Sequence, residues 1–144
     1  YCDGSCLNNG TPKARAGIGI FVPDEERSIS EPLKSTQKHT NQTAELTAAI
    51  RAIQLYPLGN LHIYTDSMYV INCATVWISG WKRRGWRKKT NKPVENLDLI
   101  KTLDTLIHAN PKRLKWIHVR GHKGNQHNET ADKLAKKGAM KVQN

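Results

Sequence analysis

Apolar and polar positions alternate along Leu61–Thr65, with Leu61, Ile63 and Thr65 on one side and His62 and Tyr64 on the other. That two-residue period predicts a half-buried strand. Ser67 follows, ahead of Met68, Val70 and Ile71, where a helix cap belongs, and the helix it opens is predicted over residues 68–77. Asp66 therefore falls at the carboxyl end of a strand, at the turn into a helix. In open α/β sheets that edge is where ligands bind. An acid there either caps the helix or does chemistry, and Asp is a favoured cap residue.

The same reading orders the rest of the chain. Residues 1–4 look like the tail of a strand, Asn8-Asn9-Gly10 is a turn, and residues 17–22 are a second strand. Residues 28–35 are predicted as an edge strand, since Pro32 is poorly suited to a central one. Short turns join these three into an antiparallel meander. Ala48, Ala49, Ala52, Ile53 and Tyr56 recur at helical spacing and predict a helix over residues 42–56. Glu45 lies on that stripe, four positions before Ala49. A buried acid is costly unless paired or bound to a cation; the plainer reading is a solvated first-turn Glu favoured by the helix dipole. Leu99, Ile100, Leu103, Leu106 and Ile107 predict a helix over Leu97–Ala109, broken by Asn110-Pro111. Residues 114–119 form a strand with Leu114, Trp116 and His118 on one side, and a Gly-rich loop follows at residues 120–124. Asn128 is expected to cap a last helix whose Ala131, Leu134, Ala135, Gly138 and Ala139 make a small-residue stripe, with Asp132 at its border. Meander, helix, strand, helices, strand, helix is the order of an α/β fold, a mixed sheet with helices on its faces.

Composition narrows the function. The chain has 144 residues, the size of one domain spanning 1–144. Lys and Arg outnumber Asp and Glu 23 to 12, for a formal charge of +11, which favours a polyanionic partner. The charge is clustered at Lys82, Arg83, Arg84, Arg87, Lys88, Lys89 and Lys92, interleaved with Trp81 and Trp86. A like-charge run is usually a solvated face, but Trp rings beside it offer flat surfaces to bases and sugars. Among the Trp residues, Trp77 is the expected core anchor. Cys2, Cys6 and Cys73 are few and odd in number, which points to a reducing, intracellular compartment. No apolar run approaches the ~20 residues of a membrane span, so no membrane partner is expected. Tyr1 is already next to Asp3, and a strand leading into Asp3 would need apolar residues before it. The chain is therefore expected to be a piece of a longer one, cut at the start of its first strand, with room for further domains outside it.

Asp3, Glu45, Asp66 and Asp132 each sit beside a strand end or a helix start, in separate segments. Four carboxylates brought together would raise one another's pKa unless cations stood between them. Hard oxygen ligands in that number suit Mg²⁺ or Mn²⁺, and two such ions can clamp both oxygens of an in-line displacement at phosphorus. A basic protein with such a cluster is expected to cleave or transfer phosphodiesters.

The stretches Y-C-D-G-S-C, T-N-Q-T-A-E-L, Y-T-D-S-M-Y, W-I-S-G-W, H-V-R-G-H-K-G and N-E-T-A-D-K-L-A resemble, in order and spacing, the ribonuclease H family in its cellular type 1 form. The likeness covers nearly the whole chain. It implies a five-stranded mixed sheet, three antiparallel strands then two parallel. It also implies an endoribonuclease that hydrolyses the RNA strand of RNA–DNA hybrids, leaving 3′-hydroxyl and 5′-phosphate ends. Asp3, Glu45, Asp66 and Asp132 match the family's metal-binding acids. Two Mg²⁺ ions, with Mn²⁺ as substitute, would share Asp3, with Asp132 toward the attacking water and Glu45 and Asp66 toward the leaving oxygen. His122 matches the loop His that assists proton movement or product release. Cys6, Asn9, Asn41 and Gln42 match the readers of the RNA strand, and amides suit a 2′-hydroxyl because they both donate and accept. Lys38, Thr40 and Asn96 match a pocket for a DNA phosphate; Lys38 replaces the Arg of some relatives and so lacks a bidentate grip. Tyr69, Trp77 and Trp81 match the channel along the DNA strand, and residues 81–92 resemble the basic protrusion of the cellular enzymes. The partner implied is a hybrid duplex, bound by a monomer. His39, His62, His108, His118 and His127 read as surface or core residues. Two alternatives stay open: a hybrid-binding module that does not cut, and an RNase H domain of a reverse transcriptase. A DNA-only nuclease or integrase of the same fold has no use for Asn9, Asn41 and Gln42 as 2′-hydroxyl readers.

Overall fold

In the computed structural model, which describes residues 1–120 and 125–141, the first three strands form the expected meander. β1 (Cys2–Leu7) pairs antiparallel with β2 (Arg15–Val22), and β2 with β3 (Arg27–Pro32). The β1–β2 turn closes with Asn8 and Gly10 at φ 54° and 83°. β3 stops at Pro32 rather than continuing to residue 35, because Leu33 turns inward and is 1% exposed. β4 (Leu61–Thr65) and β5 (Leu114–His118) pair in parallel, Ile63 opposite Trp116. The two ladders meet along β1, which contacts β4, while Tyr1 stacks on Tyr64 at 4.5 Å. His118 ends β5 exposed, whereas Leu114 and Trp116 are half-buried.

Helices cover both faces. α1 (Asn41–Leu55) packs on β1 and β2, and α5 (Gln126–Ala139) packs on β2, β1 and β3. Gly4 of β1 touches the α1 backbone, whereas Gly17 and Gly19 of β2 touch the α5 backbone. Gly4 pairs with Ile18, which lies between those two glycines. Successive residues on a strand face opposite ways, so α1 and α5 lie on opposite faces. α1 begins one residue before the sequence pattern predicts. Thr40 takes the cap instead, its hydroxyl accepting from the Thr43 N–H while the Thr43 side chain accepts from Thr40. At the other end, buried Arg113 donates to the carbonyls of Ile53 and Gly59, satisfying part of the α1 terminus.

Two elements depart from the sequence reading. The helix expected to end at Trp77 continues: α2 (Met68–Asn72) runs through a π-helical turn (Cys73–Trp77) into α3 (Ile78–Arg83). Trp81, Lys82 and Arg83 are therefore helical, and only the remainder of the basic segment is loop. Trp77 is not a core anchor; it is 39% exposed, and buried Cys73 and Ile78 anchor this helix instead. The last helix is capped by Asn125, whose side chain accepts from the Asn128 N–H at 3.0 Å. Asn128, expected as the cap, lies in the first turn and is 3% exposed. Two Asn three residues apart fit the cap equally well in sequence, and packing of the first turn decides between them. α4 (Leu97–Ala109) matches its predicted bounds and buries Ile100 and Leu103. Among the described residues, no helix is long and apolar enough to cross a membrane.

Candidate active site

Three elements deliver one acid each. Asp3 comes from β1, Glu45 from the second turn of α1, and Asp66 from the turn after β4. A carboxylate oxygen of each lies within 4.8 Å of those of the others. Asp3 is 4% exposed. Close contact between β1 and α1 makes the meeting possible: a Cβ on Gly4 would lie 2.4 Å from the Ala44 carbonyl carbon and the Glu45 nitrogen. With none there, the Gly4 N–H donates to Glu45 Oε1 and fixes that carboxylate beside Asp3. Asp66 is not spent on capping. Ser67 takes that place, accepting from the Val70 N–H at 3.2 Å, and its own N–H donates to the Thr65 hydroxyl at 3.1 Å.

Asp132 stands beside this group. It projects from α5 close enough to Asp3 to raise its pKa, and it pairs with Lys136 at 3.0 Å, one helical turn on. Asp3 is pushed far up, first by burial and then by Glu45, Asp66 and Asp132. Glu45 is pushed up to about 7, again by burial first, with the Asp3 and Gly4 hydrogen bonds partly offsetting it. Asp3 and Glu45 are thus held toward their protonated forms in the absence of a cation, and the all-oxygen donor set suits a hard divalent ion. His122 lies outside the described residues.

Raised carboxyl pKa values make stability pH-dependent. The folded protein binds these protons more tightly than the unfolded chain, so their contribution is full below the ordinary carboxylate range. It is lost as pH rises through the folded values, up to about 7 for Glu45. A bound divalent cation should offset that loss. The rise in Tm on adding Mg²⁺ is therefore expected to be large near pH ~8 and small near pH ~5. Melting curves with Mg²⁺ and with chelator test this, and an equal rise at both pH values would contradict it.

The polar residues expected to read nucleic acid fall into three groups. Cys6, Asn9 and Asn41 form one latch: the Cys6 N–H donates to Asn41 Oδ1 at 3.1 Å, and the Asn41 N–H donates to Asn9 Oδ1 at 3.2 Å. Gln42 is exposed beside them. Lys38 and Thr40 line a cavity of about 620 Å³ together with Arg15 and Lys141, although the Thr40 hydroxyl also caps α1. Asn96 is not among the residues lining that cavity. It sits at φ 58° ahead of α4 and donates to the Tyr69 hydroxyl at 3.1 Å. Tyr69, Trp77 and Trp81 make the third group, a row of rings with centroids 6.1 Å and 5.8 Å apart. Lys136 was missed in the sequence, although its spacing of four from Asp132 was there to be read.

The chain is similar to known proteins over nearly its whole length. The RNase H family model matches residues 1–140. The chain is 42% identical over 143 residues to Ribonuclease H1 of Mus musculus, covering 96% of this chain and 49% of that protein. It is 42% identical over 140 residues to Ribonuclease H of Dechloromonas aromatica, covering 96% and 90%. The chain thus spans about half the length of the mammalian relative and nearly all of the bacterial one. A solved structure of the foamy viral protease-reverse transcriptase in complex with RNA/DNA hybrid superposes with a TM-score of 0.77 at 26% identity, covering 99% of this chain and 20% of that one.

Proposed function

Since this chain belongs to the RNase H family, we propose that it hydrolyses the RNA strand of RNA–DNA hybrids, leaving 3′-hydroxyl and 5′-phosphate ends. The observation that carries this reading is the convergence of Asp3, Glu45 and Asp66 within 4.8 Å, from three separate elements. The foamy viral relative bound to a hybrid supports the substrate. Asp3, Glu45, Asp66 and Asp132 would hold two Mg²⁺ ions, which Mn²⁺ can replace. Bound there, the ions would supply an activated water and charge stabilisation for the leaving oxygen.

The chain's own residues select and hold the substrate. Asn9, braced by the Asn41 backbone N–H, and Asn41, braced by the Cys6 N–H, present rigid amides to a minor groove, where a 2′-hydroxyl can both give and take a hydrogen bond. Gln42 adds a third amide. Lys38 contacts a phosphate of the DNA strand together with Thr40, and Asn96 supports that strand through Tyr69. The Tyr69–Trp77–Trp81 row gives its sugars and bases a flat surface. Lys136 holds Asp132 ready beside Asp3. His122 assists proton movement or product release. Residues 1–144 act as one catalytic domain and as a monomer.

End-labelled hybrid, double-stranded RNA, double-stranded DNA and single-stranded RNA, each with Mg²⁺ and with chelator, test the activity. Metal-dependent cutting of the hybrid's RNA alone is expected. Equal cutting of double-stranded DNA would sink the substrate assignment, and tight hybrid binding without products would favour a binding module. Asn41→Ala should weaken hybrid binding about tenfold, since it removes both an amide and the acceptor that ties it to the Cys6 N–H. Binding to a DNA duplex should change less; an equal loss for both duplexes would argue against 2′-hydroxyl reading.

A further inference from the structure

Asp104 is the buried acid that the active site leaves unused. It lies on α4, far in sequence from the other acids, and is 8% exposed. Acids are seldom buried without a partner. Its Oδ2 lies 3.2 Å from Lys82 Nζ on α3, a pair that ties two helices together. Its Oδ1 has no well-aligned donor. His108 Nδ1 comes within 2.8 Å of that oxygen, but its hydrogen bond goes to the Asp104 backbone carbonyl at 3.0 Å. Lys82 is therefore the cation that pairs with this carboxylate from another helix.

What Lys82 carries with it matters. It directly follows Trp81, whose ring packs tilted against Trp77, which in turn meets Tyr69 edge-on. α3 is the last stretch of the continuous helix that begins at Met68, and helix ends fray unless tertiary contacts hold them. Beyond it the Trp86 N–H donates to the Trp81 carbonyl at 2.7 Å, and Lys101 of α4 lies 5.6 Å over the Trp86 ring. Lys101, Asp104 and His108 are spaced three and four apart, so they share one face of α4. That face grips the basic, aromatic end of α3 at two points, and Asp104 is the only buried one of these three residues.

We propose that Asp104 is a positioning residue for nucleic-acid binding: through Lys82 it sets the pose of α3, and so of Trp81, along the hybrid. This rests on the hybrid-cleaving reading. In a segment so rich in cations, one buried carboxylate selects a single, still half-exposed ammonium, and the ammonium brings its helix with it. The role is separate from the chemistry, because Asp104 belongs to neither the acid cluster nor the amide latch.

The test is steady-state cleavage by the whole chain on hybrids of about 6 to about 24 base pairs, from shorter to well longer than the site. Asp104→Asn should raise KM about tenfold on the long hybrids, leave kcat unchanged, and leave the shortest hybrids unaffected. Asp104→Glu should recover most of the loss. Lys82→Met should give the same KM rise, and the double variant no further rise, since both act through one pair. Equal losses on short and long hybrids, a loss in kcat, or additive effects in the double variant would overturn the proposal. If wild type cuts no hybrid of any length, the functional reading itself fails, and that outcome is distinct from all of these.

Discussion

Asp66→Asn is expected to lower hybrid cleavage roughly a thousandfold while leaving the fold intact. Asp66 supplies one of the three carboxylates that meet within 4.8 Å. It makes no structural contribution that Asn would remove, since Ser67 caps the following helix. Its charge also raises the pKa of both Asp3 and Glu45. Neutralising it relieves repulsion in the metal-free protein, so Tm measured in chelator should rise while activity disappears. Stability and activity moving in opposite directions would mark a site whose like charges are held together for a cation. Single-turnover cleavage with thermal melts of the same preparation measures both; activity within tenfold of wild type would remove Asp66 from the site.

Gly19→Ala is expected to destabilise the protein by about 3 kcal/mol or more, a large part of a domain's usual 5–15 kcal/mol. A Cβ at position 19 would lie 2.2 Å from the Ala131 carbonyl oxygen and 2.4 Å from the Ala135 nitrogen. Both are backbone atoms, so α5 itself would have to move away from β2. Asp132 lies between those two contact points on the helix, so activity should fall even where the variant remains folded. Gly10→Ala is the useful contrast. Gly10 has φ 83° and open space around it, so substitution there costs only backbone strain, about 1 kcal/mol. Urea unfolding of the two variants separates them, and equal losses would show that the β2–α5 contact is looser than its geometry.

Both predictions concern how separate segments are brought together, and that is also where sequence reading reached its limit. Leu61–Thr65 alternates cleanly because one face of β4 is buried, and Leu97–Ala109 carries a full apolar stripe, so both were read to the residue. Local patterns stopped working where competing local signals were equal. Thr40 precedes the predicted start of α1, and only its reciprocal bonds with Thr43 fix the cap there. Asn128 is the expected cap of α5, but Asn125 takes that place, its side chain accepting from the Asn128 N–H. Trp77 has the composition of an anchor, but the π-helical turn before α3 leaves it 39% exposed, in line with Tyr69 and Trp81.

The sequence by itself determined the class of fold, the order of its elements, the four acids and their separate segments, and the excess of positive charge. Those follow from periodicity, spacing and composition, which are local or additive properties of the chain. Tertiary structure alone decided that Asp3, Glu45 and Asp66 converge while Asp132 stands beside them. It decided that Asn41 braces Asn9 and Cys6, and that Asp104 reaches across to Lys82. Each of these depends on how closely one backbone approaches another. At β1–α1 and β2–α5 that distance is set by the missing side chains of Gly4, Gly17 and Gly19 against helices far along the chain.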